Sequence, residues 1–237
     1  MSFTSKDKKA VLDGLWDGTI TARKLPVEVY LKTSKVLKAA VTKGVAGHKG
    51  EIVSSLKENM DMFSAAKTFQ QTLDMQSLFV AGMTEEDYKE LAGQTFDLYN
   101  TTYLEAENNS VLLQSQNARD WIGIEENKDV LPLLRYSAIV DDNTSEICLQ
   151  CDGVTLPVDD PFWDMYSPEN HYNCRCLLEQ LDDEHSEVQP GDNLEKPDPV
   201  FDNNVGKTGE IFNKDHPYFN VPSGYKEFAK DNFGLPL

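Results

Sequence analysis

The chain has 237 residues, enough for one large domain or two modest ones, and it should bury roughly 70 to 75% of its unfolded surface. Hydrophobic residues make up 40% and aromatics 10%, too many for a wholly disordered chain, while a mean hydropathy of -0.48 and no apolar run near the roughly 20 residues of a spanning helix argue against a membrane protein. The net charge of -18 is unevenly placed, with 11 Lys and Arg against 5 acids from Met1 to Lys57 and 11 against 35 in the remainder; this argues against sequence-reading DNA recognition and leaves the basic N-terminal region as the one surface for non-specific DNA contact.

The opening MSFTSKDKKAVLDGLWDG is too polar for a secretory signal, so the expected compartment is a cytoplasm. The first half reads as helix. From Pro26 to Gly44, Val29, Tyr30, Thr33, Val36, Leu37, Ala40 and Val41 recur at helical spacing behind a proline that a first turn tolerates. A second helix is predicted over Glu51 to Val80, stopping near Gly82. Thr84 followed by Glu85, Glu86 and Asp87 reads as an N-cap with acids in the first turn, where the helix dipole favours them. The helix behind it is predicted to run unbroken from Glu85 to about Arg119, giving a helical hairpin or an elongated arm.

After Trp121 the pattern changes to short strands, at Leu133 to Val140, Val154 to Leu156 and Cys176 to Leu181, with Asp152-Gly153 as a turn. Asp182 to Asn204 holds 8 acids, 1 lysine and 3 prolines with a single aromatic, too little to bury a core, and reads as a linker able to span at most ~75 to 80 Å. The last stretch regains aromatics at Phe212, Tyr218, Phe219, Tyr225, Phe228 and Phe233; it should be largely extended and must dock, either on its own body or on a neighbouring subunit. The expected fold is therefore α+β. It comprises a helical domain (1–125), a small β domain with a Cys/His knuckle (130–181), an acidic linker (182–204) and an aromatic docking tail (205–237).

All four cysteines fall close together, Cys148 and Cys151 in ICLQC and Cys174 and Cys176 in ENHYNCRC, with His171 three residues before Cys174. Each pair spaced by two residues can present both ligands to a tetrahedral ion from one tight turn, the arrangement of a structural Zn2+ site. The preferred set of four is Cys148, Cys151, His171 and Cys174; the rival exchanges His171 for Cys176. Three thiolates and one imidazole around Zn2+ leave a net -1, against -2 for four thiolates in a region already rich in acids. Disulfides are disfavoured without a secretory signal, and a thioredoxin-like motif lacks its βαβ context. A zinc-dependent hydrolase or deaminase would need an acid or base beside an open metal position. His185-Ser186-Glu187 lies downstream of the cysteines, the wrong order for a deaminase. A nucleic-acid-binding zinc module is disfavoured by the 17 acids against Arg175 and Lys196 between Asp141 and Asp202.

The stretch RYSAIVDDNTSEICLQCDGVTLPVDDPFWDMYSPENHYNCRC resembles the signature of the phage Mu F-like family of head morphogenesis, or minor head (minor capsid), proteins. The shared features are Asp141 with Thr144 and Ser145, the first Cys pair, Asp152-Gly153, Asp160 to Trp163, and the close from Pro168 to Cys176. Trp16 to Thr21 with Leu25-Pro26 and Tyr30 is similar to the family's N-terminal entry, and Val205 to Gly209 with Phe212 and His216 to Phe219 to its tail. The resemblance implies a non-enzymatic virion protein of a bacteriophage, present in the host cytoplasm during assembly. Its implied partners are the portal protein or the major capsid protein, in a ring of copies, with a role in head assembly and in DNA packaging or delivery.

Overall fold

In the computed structural model, which describes residues 3–233, the first helix begins well before Pro26. Thr4 accepts the Asp7 N–H at 3.2 Å while the Asp7 carboxylate takes the Thr4 N–H at 2.7 Å, a reciprocal cap that launches α1 (Ser5–Trp16). Helix α2 (Val27–Gly44) and α3 (Glu51–Ser77) follow. Thr84 caps α4 (Glu85–Leu98) as expected. The long helix behind it is interrupted: a π-helical turn (Tyr99–Tyr103) separates α4 from α5 (Leu104–Asn127). Two side chains bond to the backbone within this turn. Asn100 Nδ2 donates to the Phe96 carbonyl at 2.8 Å and Thr101 Oγ1 to that of Asp97 at 2.6 Å, the carbonyls that the N–H groups of these same residues would take in a regular helix.

Beyond α5 come β1 (Leu133–Ser137), α6 (Glu146–Cys151), β2 (Thr155–Pro157), α7 (Phe162–Met165), β3 (Leu177–Leu181), α8 (Val205–Thr208) and α9 (Lys226–Phe233). The fold class is α+β, with three antiparallel strands in the order β2-β1-β3. Met1, Ser2, residues 234–237 and the Phe233 side chain, parts of the expected helical domain and tail, lie outside the described residues. No helix among the described residues is long and apolar enough to cross a membrane.

The chain divides into two compact units, Met1–Ala40 with Glu58–Asn109 and Lys214–Leu237, and Val41–Lys57 with Ser110–Asn213. In the first, Val11, Leu12 and Leu15 of α1 pack with Tyr88, Ala92 and Phe96 of α4, and with Val29 and Met75. The final segment seats its aromatics on this same unit. Phe63 meets the rings of His216 and Tyr218 at 4.9 and 5.4 Å, Tyr225 stands edge-on to Phe69 at 5.4 Å, and Arg23 lies over Tyr225 and Phe228. Two short 3-10 turns, at Pro217–Phe219 and Ser223–Tyr225, and then α9 shape a segment expected to be largely extended. At its centre is a buried ion pair. Lys67 Nζ lies 2.5 Å from Glu107 Oε2, the side chains are 1% and 6% exposed, and the Tyr218 hydroxyl donates to Glu107 Oε1 at 2.9 Å. Burial pushes Lys67 below its ordinary pKa and Glu107 above it, each partly offset by the other.

The second unit is built around the sheet, where Leu134, Tyr136, Val154, Leu156 and Trp163 form one cluster with Trp121, Ile124 and all four cysteines. Segment 182–204, read above as a tether, makes contacts here: Val188 exchanges hydrogen bonds of 2.9 and 2.8 Å with Thr155, and the Glu195 N–H donates to Gln150. Helix α8 packs so closely that a Cβ at Gly206 would lie 2.2 Å from Trp121 Cβ. Gly206→Ala is therefore expected to lower stability by about 1–3 kcal/mol in urea titrations; an unchanged midpoint would show that α8 does not rest on Trp121.

Candidate metal centre

Cys148 is delivered by α6, whose N-terminus is set by the Ser145 hydroxyl accepting the Cys148 N–H at 3.4 Å. Ahead of that cap, the Thr144 hydroxyl takes the Asp141 N–H and donates to the Ile139 carbonyl, both at 2.7 Å, so the turn entering α6 is held from within. His171 and Cys174 come from a second turn, closed by the Cys174 N–H on the His171 carbonyl at 3.1 Å. Asn173 takes a left-handed φ of 62° there, a conformation that asparagine tolerates better than most side chains. The two turns are tied by Arg175, whose guanidinium donates twice to the Asp141 carboxylate at 2.8 and 2.7 Å.

The outcome is a group of three ligand atoms, those of Cys148, His171 and Cys174, all within 4.8 Å of one another. Cys148 Sγ lies 3.8 Å from Cys174 Sγ and 3.2 Å from His171 Nε2. With metal–sulfur and metal–nitrogen bonds of ordinary zinc length, the edges of a tetrahedron are about 3.8 Å between sulfurs and about 3.6 Å from sulfur to nitrogen. The sulfur pair already has that spacing, and the Cys148–His171 edge is within a few tenths of an ångström of it. The ring is also turned the right way. His171 Nδ1 lies 3.0 Å from the Tyr172 carbonyl, so its proton belongs on Nδ1 and the Nε2 lone pair faces the sulfurs. These residues suit a thiophilic metal ion.

The other two expected ligands sit differently. Cys151 and Cys176 are buried in the same cluster, yet neither belongs to the group of three. Cys176 acts on the pKa of the Cys148 thiol, whereas Cys151 is itself raised by the charges of Cys148 and Cys176 as well as by burial. All four thiols are free of disulfides. Hydrogen bonds from Cys174 and Cys176 hold the Cys148 thiol far below its usual pKa. Cys174 is raised by donating to Cys148, and burial pushes Cys151 up to about 12. Negative charge is thus favoured first at the sulfur that touches the other ligands.

Two supporting residues escape a reading based on ligand types. The Tyr136 hydroxyl lies 3.5 Å from Cys148 Sγ and accepts the Asn170 amide at 2.9 Å; with that lone pair engaged, its own proton points to the sulfur. Burial raises Tyr136 well above the ordinary tyrosine range, so it stays a donor. Asn170 directly precedes His171, and an alternating apolar strand gives no hint that one of its residues turns a hydroxyl inward.

The Asp141 carboxyl is held down to about 2, chiefly by Arg175. A carboxylate depressed in the folded state contributes stability above its unfolded pKa and loses it as pH falls toward its folded one. The difference in acid unfolding between the wild type and Asp141→Asn, followed by tryptophan fluorescence, is therefore expected to be full above about pH 4 and to vanish near pH 2. A difference that persists at pH 2 would mean the clamp is not what Asp141 supplies.

A family model described as Phage Mu protein F like protein matches residues 34–179, a span containing all five Cys and His candidates. The Mu-like prophage FluMu F protein of Haemophilus influenzae is 39% identical over 56 residues, which is 24% of this chain and 14% of that protein. The chain thus spans a small fraction of that curated relative. No solved structure matches it.

Proposed function

The chain belongs to the phage Mu protein F-like family, and on that footing we propose that it is a structural protein of a phage head, a minor head protein acting in head morphogenesis at the portal vertex or inner capsid. The family match across the entire Cys/His knuckle carries this reading. The chemistry of the knuckle agrees with it, because Cys148 and Cys174 are buried within a hydrophobic cluster and serve to hold two turns together. Zn2+ is the ion that sulfur and imidazole at this spacing suit, with Cys148, His171 and Cys174 as ligands and Cys176 as the fourth; Cys151 packs beside them. Bound zinc would supply cross-linking energy, while Tyr136, positioned by Asn170, hydrogen-bonds the Cys148 sulfur. The partners in this reading are the portal protein or the major capsid protein, with assembly in the host cytoplasm, retention in the virion, and a part in DNA packaging or delivery.

Quantitative mass spectrometry of purified heads from the phage or prophage encoding the chain tests the role. The expected result is a fixed low copy number per head, and its absence from heads would sink the reading. Native mass spectrometry of the purified chain tests the metal. One zinc per chain, lost in Cys174→Ser and kept in Cys151→Ser, is expected; retention in Cys174→Ser would refute the ligand set.

A further inference from the structure

The two edges of the small sheet are treated differently. The outer edge of β2 is closed by the paired bonds between Thr155 and Val188. The outer edge of β3 is open, and the register fixes which of its groups are free. Tyr136 turns its N–H and C=O toward the β2 side, bonding Val154 and Gly153 at 2.8 and 2.9 Å. Its neighbours Arg135 and Ser137 therefore face Glu179 and Leu177 across the β1–β3 ladder. By alternation, Leu178 and Gln180 direct their backbone N–H and C=O away from β1, and among the described residues no hydrogen bond reaches those groups. The strand reads LLEQL, with none of the lysine or proline that usually protects an edge, and Leu177 is 61% exposed.

Beside this edge lies a cavity of about 280 Å³ whose walls include Trp121 and Ile124 of α5, Pro168, and Leu177 and Leu178 of β3, with Asp120 at one side. Open backbone groups next to an apolar pocket are the two elements of strand addition, in which main-chain bonds give affinity and a pocket for one side chain gives selectivity. Charge indicates the occupant. Residues 110–213 carry 22 acidic side chains against six Lys and Arg, and Asp182, Asp183 and Glu184 follow β3 directly. A second copy of this unit would be repelled. The chain's own basic region is largely wound into α1 and α2, which leaves it little extended backbone to offer.

We propose that the free edge of β3 is a docking site for an extended basic segment of another protein, which adds a fourth strand against Leu178 and Gln180 and places one aliphatic or aromatic side chain in the pocket beside Trp121. The lysines or arginines of that segment face Glu179 and the acids after β3.

The test titrates the full chain into a fluorescein-labelled peptide of alternating lysine and valine, with a glutamate–valine peptide as the control. The expected result is saturable anisotropy for the basic peptide alone, weakened by salt, together with slowed amide exchange at Leu178 and Gln180. Leu178→Pro removes one edge N–H together with a side chain packed on the core, and should abolish binding with the rest of the sheet still protected from exchange. Glu179→Gln, which removes the charge at an exposed position and gives up only the long 3.5 Å pair with Arg135, should weaken it roughly tenfold with circular dichroism unchanged. Absence of saturable binding, protection elsewhere, equal binding of the acidic peptide, or full binding by both variants would overturn the assignment. Dimerisation that protects Leu178 and Gln180 without peptide would overturn it in favour of a second copy.

Discussion

Serine at Cys148 or Cys174 is expected to unfold the region from Leu133 to Leu181 while leaving helix content nearly intact. Zinc at a site of this kind contributes an apparent ~10 to 16 kcal/mol in peptide systems, far more than three strands of five, three and five residues can contribute by pairing alone. Serine keeps the volume but does not bind zinc as a thiolate does. The measurement is limited proteolysis and hydrogen exchange over 133–181 beside far-ultraviolet circular dichroism. Chelation of the wild type should reproduce the effect, and Cys151→Ser should have the mildest one, because its sulfur stands apart from the three grouped ligand atoms. Unchanged proteolysis in Cys174→Ser would show that the sheet stands without metal.

The second large effect lies at Lys67 and Glu107. Replacing either alone by an apolar residue, Lys67→Met or Glu107→Leu, leaves one charge buried without its partner and should cost about 3–5 kcal/mol, read from urea midpoints. The double replacement should recover most of that loss, since two apolar side chains of similar volume need no solvation. Single variants within about 1 kcal/mol of the wild type would place the pair in contact with water.

Much of this fold is legible in the sequence because local signals and burial agree. The Thr84 cap, the apolar spacing of α2 and α3, and the three strands appear within a few residues of their expected places. The motif residues that carried the family resemblance each have a local task. Asp152 accepts the Ala138 N–H, Gly153 takes a φ of 79° that a side chain resists, Asp160 accepts the Phe162 N–H, and Trp163 fills the core with its indole N–H on the Pro157 carbonyl. Helix α1 is signalled by the cap at Thr4 and Asp7 and by the short apolar set Val11, Leu12 and Leu15, both easily passed over in a stretch dense with lysine. The π turn is not legible because Asn100 and Thr101 are polar helix residues like Thr68, Thr72 and Ser115, whose side chains also bond the carbonyl four residues back without breaking their helices. The metal group was legible as a set of five residues but not as three. Spacing reports which ligands can share a turn, whereas the distance between turns is set by contacts such as Arg175 on Asp141, far apart in sequence.

The Tyr218 hydroxyl that completes the Lys67–Glu107 pair lies 111 positions beyond Glu107. At a ribosomal pace of roughly 5 to 20 residues per second, the two charges wait about 5 to 20 s for it during synthesis. Through that interval the apolar faces that His216, Tyr218 and Phe219 cover stay bare, so the nascent protein is open to chaperones, proteases and premature association until Tyr218 has been made.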